Sequence, residues 1–548
     1  GASQDMLRSF SVSRQRVAYQ RARFQHMPQL FNIVQAADNR LKTAPLEERT
    51  RLRDYVRELE LNLRTAILEP PKQSWYTTMA TNFGFLQFLS APASAVINAM
   101  AIPGIYTPIA GAKYGGVKNV TTTMSRYARM LGGTKFVSDE TGRYEFLSLS
   151  RAQLDQKTSV GTDDDSKALP QGKTLADVYN EGVARGIINV SQSHEAANIG
   201  EEPSNEYTGR WNKIMYYVSL PFHAAEKFNR EMAYMSTFDM AYRKALDKGF
   251  TPEKAYDKAL QEARDVTQET MFNYNTINKP RYFRGDLRNI LLQFKMYPQH
   301  MTVLMFRNFE KAFIDTEKIE IDKIKRENPN ATADALKGLI DTKVAELKEV
   351  RTEARKAFLG MMGMSFVTAG FTGMPLFFIF SGIASAFHAI FGDDDEPFDA
   401  ENWFKNWTNR TFGGFLGDSL SRGVLSQATG LNFADRMNVN LPDLWFPDVR
   451  KGTDETDYAK NLFIAALGPS MGVLLVNYPE ALKLYVDVKG VKQTRDEVSD
   501  GVRHVSYAYQ NLKIQKKSKV CKLQYQIRLK LRFELVAEQT LQPIWDLT

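Results

Sequence analysis

A long uncharged run of the chain extends from Ala357 to Gly392 and contains no Asp, Glu, Lys or Arg. At about 1.5 Å per helical residue it is long enough to cross a bilayer once, or to enter and return as a tight hairpin. Four glycines and Pro375 divide it into two pieces that are each marginal for spanning, and the acidic cluster Asp393–Glu396 follows as a charged stop. The run therefore predicts a protein that meets a membrane at one stage of its life. The residues predicted to insert are Phe358, Leu359, Phe366, Leu376, Phe377, Phe378, Ile379, Phe380 and Ile390.

Hydrophobic spacing predicts a mainly α-helical, extended, multi-helical protein with helix hairpins and little or no β-sheet. Leu52, Val56, Leu59 and Leu63 follow a three- and four-residue period, and no alternating strand pattern stands out. A chain of 548 residues is too long for one core, so we expect roughly three or four packing units. The predicted segments are a basic N-terminal helical arm (1–72), an apolar Ala/Gly/Pro-rich helical segment (73–156), a central helical domain (157–309), a charged helical hairpin (310–356), the membrane-active apolar hairpin (357–392), a Trp-rich irregular region with a third apolar helix (393–480) and a basic C-terminal tail (481–548).

A second uncharged run, Gln73–Ala112, is rich in Ala, Ser, Thr and Gly and is interrupted by prolines. This composition favours close helix packing over a free lipid-facing span, although contact with lipid stays open. Aromatic residues flank the apolar runs and would lie either at a membrane interface or in a soluble core. They are Trp75, Tyr76, Trp403, Trp407 and Trp445.

The positive charge of the chain, +8 in total, is concentrated at its ends. The stretches 6–37 and 511–533 contain no acid, so both are predicted to touch phosphate, of either DNA or lipid. A solvated helix face is the alternative interpretation of each stretch. The predicted contacts are Arg8, Arg14, Arg16, Arg21, Arg23, Lys513, Lys516, Lys517, Lys519, Arg528, Lys530 and Arg532.

Three short motifs resemble catalytic signatures but lack the residues that the chemistry requires. Gly172-Lys173-Thr174 matches the end of a phosphate-binding loop, but Lys167 stands where that loop needs glycine. Gly468–Gly472 matches a nucleophile elbow within an apolar helical segment instead of a strand-to-helix turn. His194-Glu195 has Asn198 where a zinc protease needs its second histidine. With one cysteine, Cys521, an intrachain disulfide is also excluded. We therefore expect no enzyme active site, no cofactor and no metal.

A distinctive series of motifs lies between residues 272 and 301. It comprises Phe272-Asn273-Tyr274, then Asn278–Arg281, then Gln293–Met301. The series resembles the PLxRFG-type region of very large polyvalent phage proteins. Matches continue in order at Ala369–Pro375, at 394–399 and at 441–446, so the resemblance covers about residues 75–480. The eponymous hexapeptide is absent, and the last forty residues lie outside the resemblance. The residues that carry the signature are Phe272, Tyr274, Pro280, Arg281, Gln293, Phe294, Lys295 and Tyr297.

The resemblance implies an internal virion, or ejection, protein like those of short-tailed bacteriophages. Such a protein is stored in the capsid near the portal and is ejected with the genome. It then helps to form a DNA-translocating channel across the host inner membrane and periplasm. Implied partners are other copies in a ring, further core proteins, the portal, double-stranded phage DNA and the inner membrane.

Three alternatives stay open. One is a capsid-internal scaffold that binds DNA or the portal and never enters lipid. Another is the delivery region of a larger virion enzyme whose peptidoglycan-cleaving module is not visible here. The third is a bacterial membrane protein encoded in a prophage remnant. Fold resemblance alone does not decide among these functions.

Overall fold

The computed structural model describes eight stretches of the chain and five single residues. The stretches are 6–63, 92–132, 148–161, 166–188, 208–272, 295–328, 332–374 and 400–429, and the single residues are Thr77, Phe283, Leu292, Phe377 and Phe433. All of them belong to one compact unit, Gly1–Ala508.

The described chain begins with two helices joined by a short turn. Helix α1 covers Met6–Thr43 and α2 covers Leu46–Asn62. Pro45 precedes α2, and Arg49 Nε donates to the Ala44 carbonyl at 2.9 Å, which holds the turn at the start of the helix.

A nearly continuous helical run follows. Helix α3 covers Pro92–Ala99, a π-helical turn covers Ile102–Tyr106, and α4 covers Thr107–Lys113. Gly115 and Gly116, both at positive φ, separate this run from α5, Val117–Ala128. Glycine adopts this backbone conformation without steric cost, so the chain can turn sharply there.

A small two-stranded sheet lies between residues 159 and 168. Helix α6, Arg151–Asp155, leads into β1, Ser159–Val160, which pairs antiparallel with β2, Lys167–Ala168. In the register Ser159 lies opposite Ala168. This pair is the only sheet among the described residues, so the mainly helical fold class is confirmed.

Helix α7, Leu175–Ala184, explains the Gly172-Lys173-Thr174 motif as a helix start. The Thr174 side chain accepts from the Asp177 backbone N–H, and the Asp177 carboxylate accepts from the Thr174 backbone N–H at 2.8 Å. This reciprocal capping box satisfies two N–H groups that the first helical turn leaves unpaired. The motif therefore begins a helix in this structure.

Two long helices form the centre of the fold. Helix α8 covers Thr208–Asp247, and α9 covers Pro252–Thr270. Pro252 occupies the first turn of α9, where no N–H partner is needed. Residues of α5, α7, α8 and α9 share the largest apolar core; among the fully buried members are Tyr127, Leu154, Leu175, Tyr234, Phe238 and Tyr242.

The same core contains Asp239 of α8, which has no exposed side-chain surface. Its carboxylate accepts from Arg126 Nη1 at 2.9 Å and from Arg243 Nε at 2.8 Å. It also accepts from the Tyr127 hydroxyl at 3.2 Å and the Gly161 N–H at 3.1 Å. A buried charge is tolerated only when it is paired and hydrogen-bonded, and this one meets both conditions.

Glu231, two turns earlier on α8, is buried with its own donors. It accepts from the Ser148 hydroxyl at 2.8 Å, the Leu149 N–H at 3.0 Å and the Tyr179 hydroxyl at 2.7 Å. Burial raises the pKa of Glu231, while Lys227 and these hydrogen bonds oppose the shift. The carboxylate thus connects α8 to α7, through Tyr179, and to the segment at Ser148 and Leu149.

Arg230 occupies a third buried polar position of α8. Its Nε donates to Glu226 at 2.8 Å, and its Nη2 donates to the carbonyls of Met271 and Phe272 at 2.9 and 2.7 Å. Asn98 of α3 donates to the same glutamate at 3.0 Å. The pair therefore fixes the chain just after α9, where carbonyls are left without helical partners.

The last six described helices comprise three consecutive helices, α10–α12, and a group of three short helices after them. Helix α10 covers Met296–Phe313, α11 covers Glu317–Glu327 and α12 covers Ala333–Ala369. Helix α12 passes through the predicted boundary at 356/357 without interruption, because nothing between those residues breaks a helix. The charged and apolar segments are therefore two halves of one helix, which corrects the predicted division.

Residues 400–429, predicted as irregular, are helical, which corrects that prediction. Helix α13 covers Ala400–Phe412, α14 covers Gly414–Arg422 and α15 covers Val424–Thr429. Gly413 and Gly423, at φ 82° and 90°, separate the three helices. The glycines that indicate irregular structure in the sequence thus act as short breaks between helices.

Candidate apolar contact surface

The two uncharged runs of the sequence pack against each other. The run Ser94–Lys113, which comprises most of α3, the π-helical turn and α4, lies along the apolar end of α12. Ile105 and Ile109 share a buried cluster with Ala357 and Met361. Gly360 lies at the crossing, where an added Cβ would be 3.0 Å from Cβ of Pro108. A small residue there allows the two helices to approach closely.

Helix α10 covers another side of the same end of α12. Phe358 of α12 is buried against Phe309 and Phe313, with ring centroids 5.7 and 5.8 Å apart. Phe358 is predicted from the sequence to insert into a membrane. In this structure it is instead a core residue of the α10–α12 pair, so it is not presented at the surface.

Both helices expose large apolar side chains on their outer sides. Leu359 and Val367 of α12 are 62% and 50% exposed, and Phe306 of α10 is 43% exposed. We call the following exposed residues the outer apolar residues: Val303, Phe306, Phe309, Phe313, Leu359 and Val367. Where such residues form a contiguous patch, the patch commonly marks contact with a membrane or a partner.

The character of α12 changes along its length. Residues 333–356 carry many charges, whereas 357–369 carry none. At the transition Arg355 donates through Nε to the Ala312 carbonyl at 2.8 Å, and its guanidinium lies 5.8 Å from the Phe313 ring centre. The described uncharged part of the helix is about 20 Å long, less than a bilayer core. One helix therefore joins a water-compatible half to an apolar half.

The end of α12 packs against the end of α14 at Gly370, a contact that we call the glycine crossing. Gly370, at φ 69°, lies so close to Ser421 and Gly423 that an added Cβ would be 2.4 Å from their backbone atoms. The Phe371 N–H donates to the Leu420 carbonyl at 2.9 Å, and the Thr372 N–H donates to Ser421 at 3.1 Å. Gly370 belongs to the Ala369–Pro375 motif of the resemblance, and this crossing gives that glycine a physical reason.

Helix α13 adds exposed aromatic rings next to this crossing. Trp403 and Trp407 stack with ring centres 6.4 Å apart, and both are about half exposed. Phe404 of the same helix stacks on Phe371 at 4.4 Å. Trp403 and Trp407 are therefore exposed and do not belong to a core, while Trp75, Tyr76 and Trp445 lie outside the described residues.

The other predicted membrane residues have mixed positions. Phe366 is partly buried on α12, and Phe377 is buried. The following predicted residues lie outside the described part of the chain: Leu376, Phe378, Ile379, Phe380 and Ile390.

The predicted phosphate contacts are only partly described. All five arginines of the N-terminal arm lie on α1, where Arg21 is exposed. The following residues lie outside the described part of the chain: Lys513, Lys516, Lys517, Lys519, Arg528, Lys530 and Arg532.

Two blocks of the phage-like signature meet in space. Phe272, at φ 52°, places its ring 5.8 Å from Tyr297 and 5.4 Å from His300. Burial lowers the pKa of His300. Lys295 immediately precedes α10. The signature residues Tyr274, Pro280, Arg281, Gln293 and Phe294 lie outside the described residues.

Sequence analysis missed two features of the molecule. It did not single out Phe306, Phe309 and Phe313, although their three- and four-residue spacing on a helix indicates a shared side. It also missed the buried acids of α8, because acids at Glu231 and Asp239 resemble a solvated helix side when read without their partners.

Among the described residues, one helical run is long and apolar enough to cross a membrane. It is Ser94–Lys113, of 20 residues, and 44% of it is buried inside the protein. A core helix of a water-soluble protein meets the same criteria. Within the same part of the chain, no group of three or more His, Cys, Asp or Glu side chains is arranged to hold a metal ion.

The outer apolar residues therefore form the candidate contact site of the described structure. Comparison of the chain with protein-family models, with curated proteins and with solved structures finds no match.

Proposed function

We propose that this chain is an internal virion protein of a bacteriophage. It is stored in the capsid at the portal and ejected with the genome, and it then helps to form a DNA-translocating channel across the host inner membrane. The observation that carries the membrane part is the packing of the two uncharged runs, which leaves outer apolar residues exposed on α10 and α12. The phage part rests on the resemblance of the signature motifs.

Exposing the outer apolar residues to water is unfavourable. Fully burying one Leu, Val or Phe side chain is worth about 1.5–3 kcal/mol, so several exposed ones favour any environment that covers them. Lipid can cover them without a shape-matched partner. Lys356, at the start of the uncharged part of α12, is exposed and can extend to the headgroups from there.

The helical architecture suits passage through a tail. Helices and helix pairs form mainly local contacts, and such folds re-form quickly after unfolding. Within α10–α12, α12 packs against both α10 and α11, and it also packs against α4, which lies about 250 residues earlier in the chain. A chain built this way can be delivered and then reassembled at a membrane.

A specific observation favours a second function, the capsid-internal scaffold. Nearly half of Ser94–Lys113 is buried against the rest of the protein, as in a core helix. In that case a protein partner, instead of lipid, would cover the outer apolar residues.

Vesicle flotation of the full chain distinguishes these functions. The test variant is Leu359→Glu/Val367→Glu, in the uncharged half of α12. The matched control is Leu339→Glu/Val350→Glu, which changes the same residue types at exposed positions in the charged half of the same helix. With vesicles of mixed zwitterionic and anionic phospholipid, we expect the test variant to bind at least about tenfold more weakly than wild type, since tenfold corresponds to only 1.4 kcal/mol. The control should bind as wild type does.

All four substituted positions are exposed, so the unfolding midpoints of both variants should match wild type. Equal flotation of the two variants would show that Leu359 and Val367 do not form the membrane contact. Absence of flotation for the wild type would favour the scaffold. Electron microscopy of the particle, with the portal axis resolved, then tests the virion location separately.

A further inference from the structure

A cleft lies on the side of the α-helical core formed by α5 and α8, away from the outer apolar residues. Its volume is about 300 Å³. Lys118, Thr122 and Arg126 line it from α5, at intervals of four residues that place them on one side of the helix. Arg243 of α8 lines it as well, and Gly115 and Gly161, which have no side chains, also line it.

The charges at this cleft are unbalanced. Three cations, Lys118, Arg126 and Arg243, line it together with one carboxylate, Asp239, so three positive charges minus one negative leave an excess of two. Asp239 is buried and accepts four hydrogen bonds, which makes its oxygens poor competitors for a ligand. The excess charge favours an anion in the cleft.

Several donors at the cleft are unused within the described part of the chain. The Lys118 ammonium and the Thr122 hydroxyl are exposed and have no hydrogen bond there. Arg126 donates from Nη1 to Asp239 and from Nη2 to the Ser159 carbonyl at 2.9 Å, and a guanidinium carries five N–H donors. The two bonds hold the guanidinium in place while further N–H groups remain.

The backbone adds to the same preference. Helix α5 has twelve residues, no acidic residue in its first turn and no side-chain cap at Gly116. The positive end of its dipole is therefore not neutralised locally. Backbone N–H groups at such a start bind phosphate readily when cationic side chains lie beside them.

We propose that this cleft binds the phosphate group of a small molecule, such as inorganic phosphate, pyrophosphate or a phosphate monoester. The fixed guanidinium of Arg126 offers paired N–H donors to phosphate oxygens, and Lys118 and Thr122 supply a mobile charge and a hydroxyl. A volume near the lower limit of ligand pockets fits a small phosphate compound and not a nucleic-acid duplex. The site is independent of the membrane function, so either can fail without the other.

Isothermal titration calorimetry of the full-length chain tests this site. The probes are inorganic phosphate and pyrophosphate, with sulfate as a comparison anion and sodium chloride at matched ionic strength. The test variant is Lys118→Ala/Thr122→Ala. The matched control is Lys254→Ala, which removes an exposed lysine from the first turn of α9, outside the cleft. We expect saturable phosphate binding to wild type and to the control, and at least tenfold weaker binding to the test variant.

A second variant, Lys118→Glu, reverses a charge and should abolish binding. Unfolding midpoints without phosphate should be equal for all proteins, since Lys118 and Thr122 are exposed. Absence of saturable binding at millimolar phosphate would overturn the proposal. Equal heats from phosphate, sulfate and chloride would also overturn it, because they would indicate general screening. Unchanged binding in the test variant would do the same.

Discussion

The α7–α9 core and the α10–α12 layer distribute charge and apolar surface in opposite ways. In the first region α8 buries Glu231 and Asp239 among aromatic side chains, each with several donors. In the second region α10 and α12 leave Phe306, Leu359 and Val367 exposed to water. The first region therefore buries charged side chains, whereas the second region exposes apolar side chains at its surface.

The two regions differ in whether the chain itself supplies the partners that their side chains need. The buried acids of α8 have partners on α5, on α7 and in the segments at Leu149 and Gly161, so these two charges are paired or hydrogen-bonded within the chain. The outer apolar residues are covered only in part within the described residues, since each keeps 40% or more of its surface exposed. A region that exposes apolar groups gains stability only when a membrane or another protein covers them.

The largest expected effect comes from breaking the first region at Asp239. Asp239 is fully buried, and Asp239→Ala leaves the partly buried Arg126 and Arg243 without their shared carboxylate. Removing one partner from a buried charge network costs about 3–5 kcal/mol. We expect a correspondingly lower free energy of unfolding in urea titrations followed by circular dichroism.

The control for this change is Asp247→Ala on the same helix. Asp247 is largely exposed and lies 3.6 Å from Lys167. Exposed pairs contribute about 0–1 kcal/mol, so this variant should unfold close to wild type. Similar losses in both variants would contradict the central role given to the buried network.

A smaller effect is expected from the glycine crossing of the second region. Gly370→Val places a branched side chain at φ 69° and ψ −170°, a conformation that essentially only glycine adopts. The strain is about 1–3 kcal/mol, and the new Cβ also meets the backbone at Ser421 and Gly423. Thermal unfolding should show a clear decrease in the midpoint.

Gly338→Ala is the opposite change in the same helix. Gly338 lies within α12 with open space around it. Alanine there should stabilise the helix by up to about 1 kcal/mol, because it restricts the unfolded chain and favours helix. A tolerated Gly370→Val variant would show that α12 and α14 do not approach each other as closely as described.

The smallest effect concerns pH and the contact between the two regions. His300 of α10 stacks on Phe272 at the end of α9, and burial lowers its pKa. The folded state therefore disfavours the protonated ring. Stability from this group is present above the ordinary histidine pKa of about 6.5 and is lost as pH decreases through and below that value.

His300→Phe keeps an aromatic ring and removes the titration. The free energy of unfolding of wild type should decrease between pH 7 and pH 5 by more than that of the variant, by less than about 1.4 kcal/mol for each unit of pKa shift. His26→Phe, on exposed α1, should retain the wild-type slope. Identical slopes for wild type and His300→Phe would show that this contact does not titrate.

Part of the fold was predictable because it depends on local chemistry. The start of α9 at Thr251-Pro252 follows from proline geometry, and the break between α11 and α12 follows from Asn328-Pro329-Asn330. The mainly helical class follows from three- and four-residue spacing of apolar side chains. Glycines were harder to interpret, since Gly413 and Gly423 separate helices in a region predicted as irregular.

The candidate surface was predictable only in outline. An uncharged run near residue 357 indicates apolar contact, but its sequence does not say which side faces outward. Phe358 and Leu359 are neighbours, and both were predicted to insert. Only the position of α10, which covers Phe358 and leaves Leu359 exposed, distinguishes them.

The sequence by itself determined the helices and the two uncharged runs, because both depend on spacing and composition within a few turns. Only the tertiary structure decided that these runs pack together at Pro108 and Gly360, which are about 250 residues apart. It also decided that Asp239 is buried with partners drawn from two other segments, α5 and the residue after β1, as well as from its own helix. Burial and pairing depend on contacts between distant parts of the chain, and local pattern does not specify which distant parts meet.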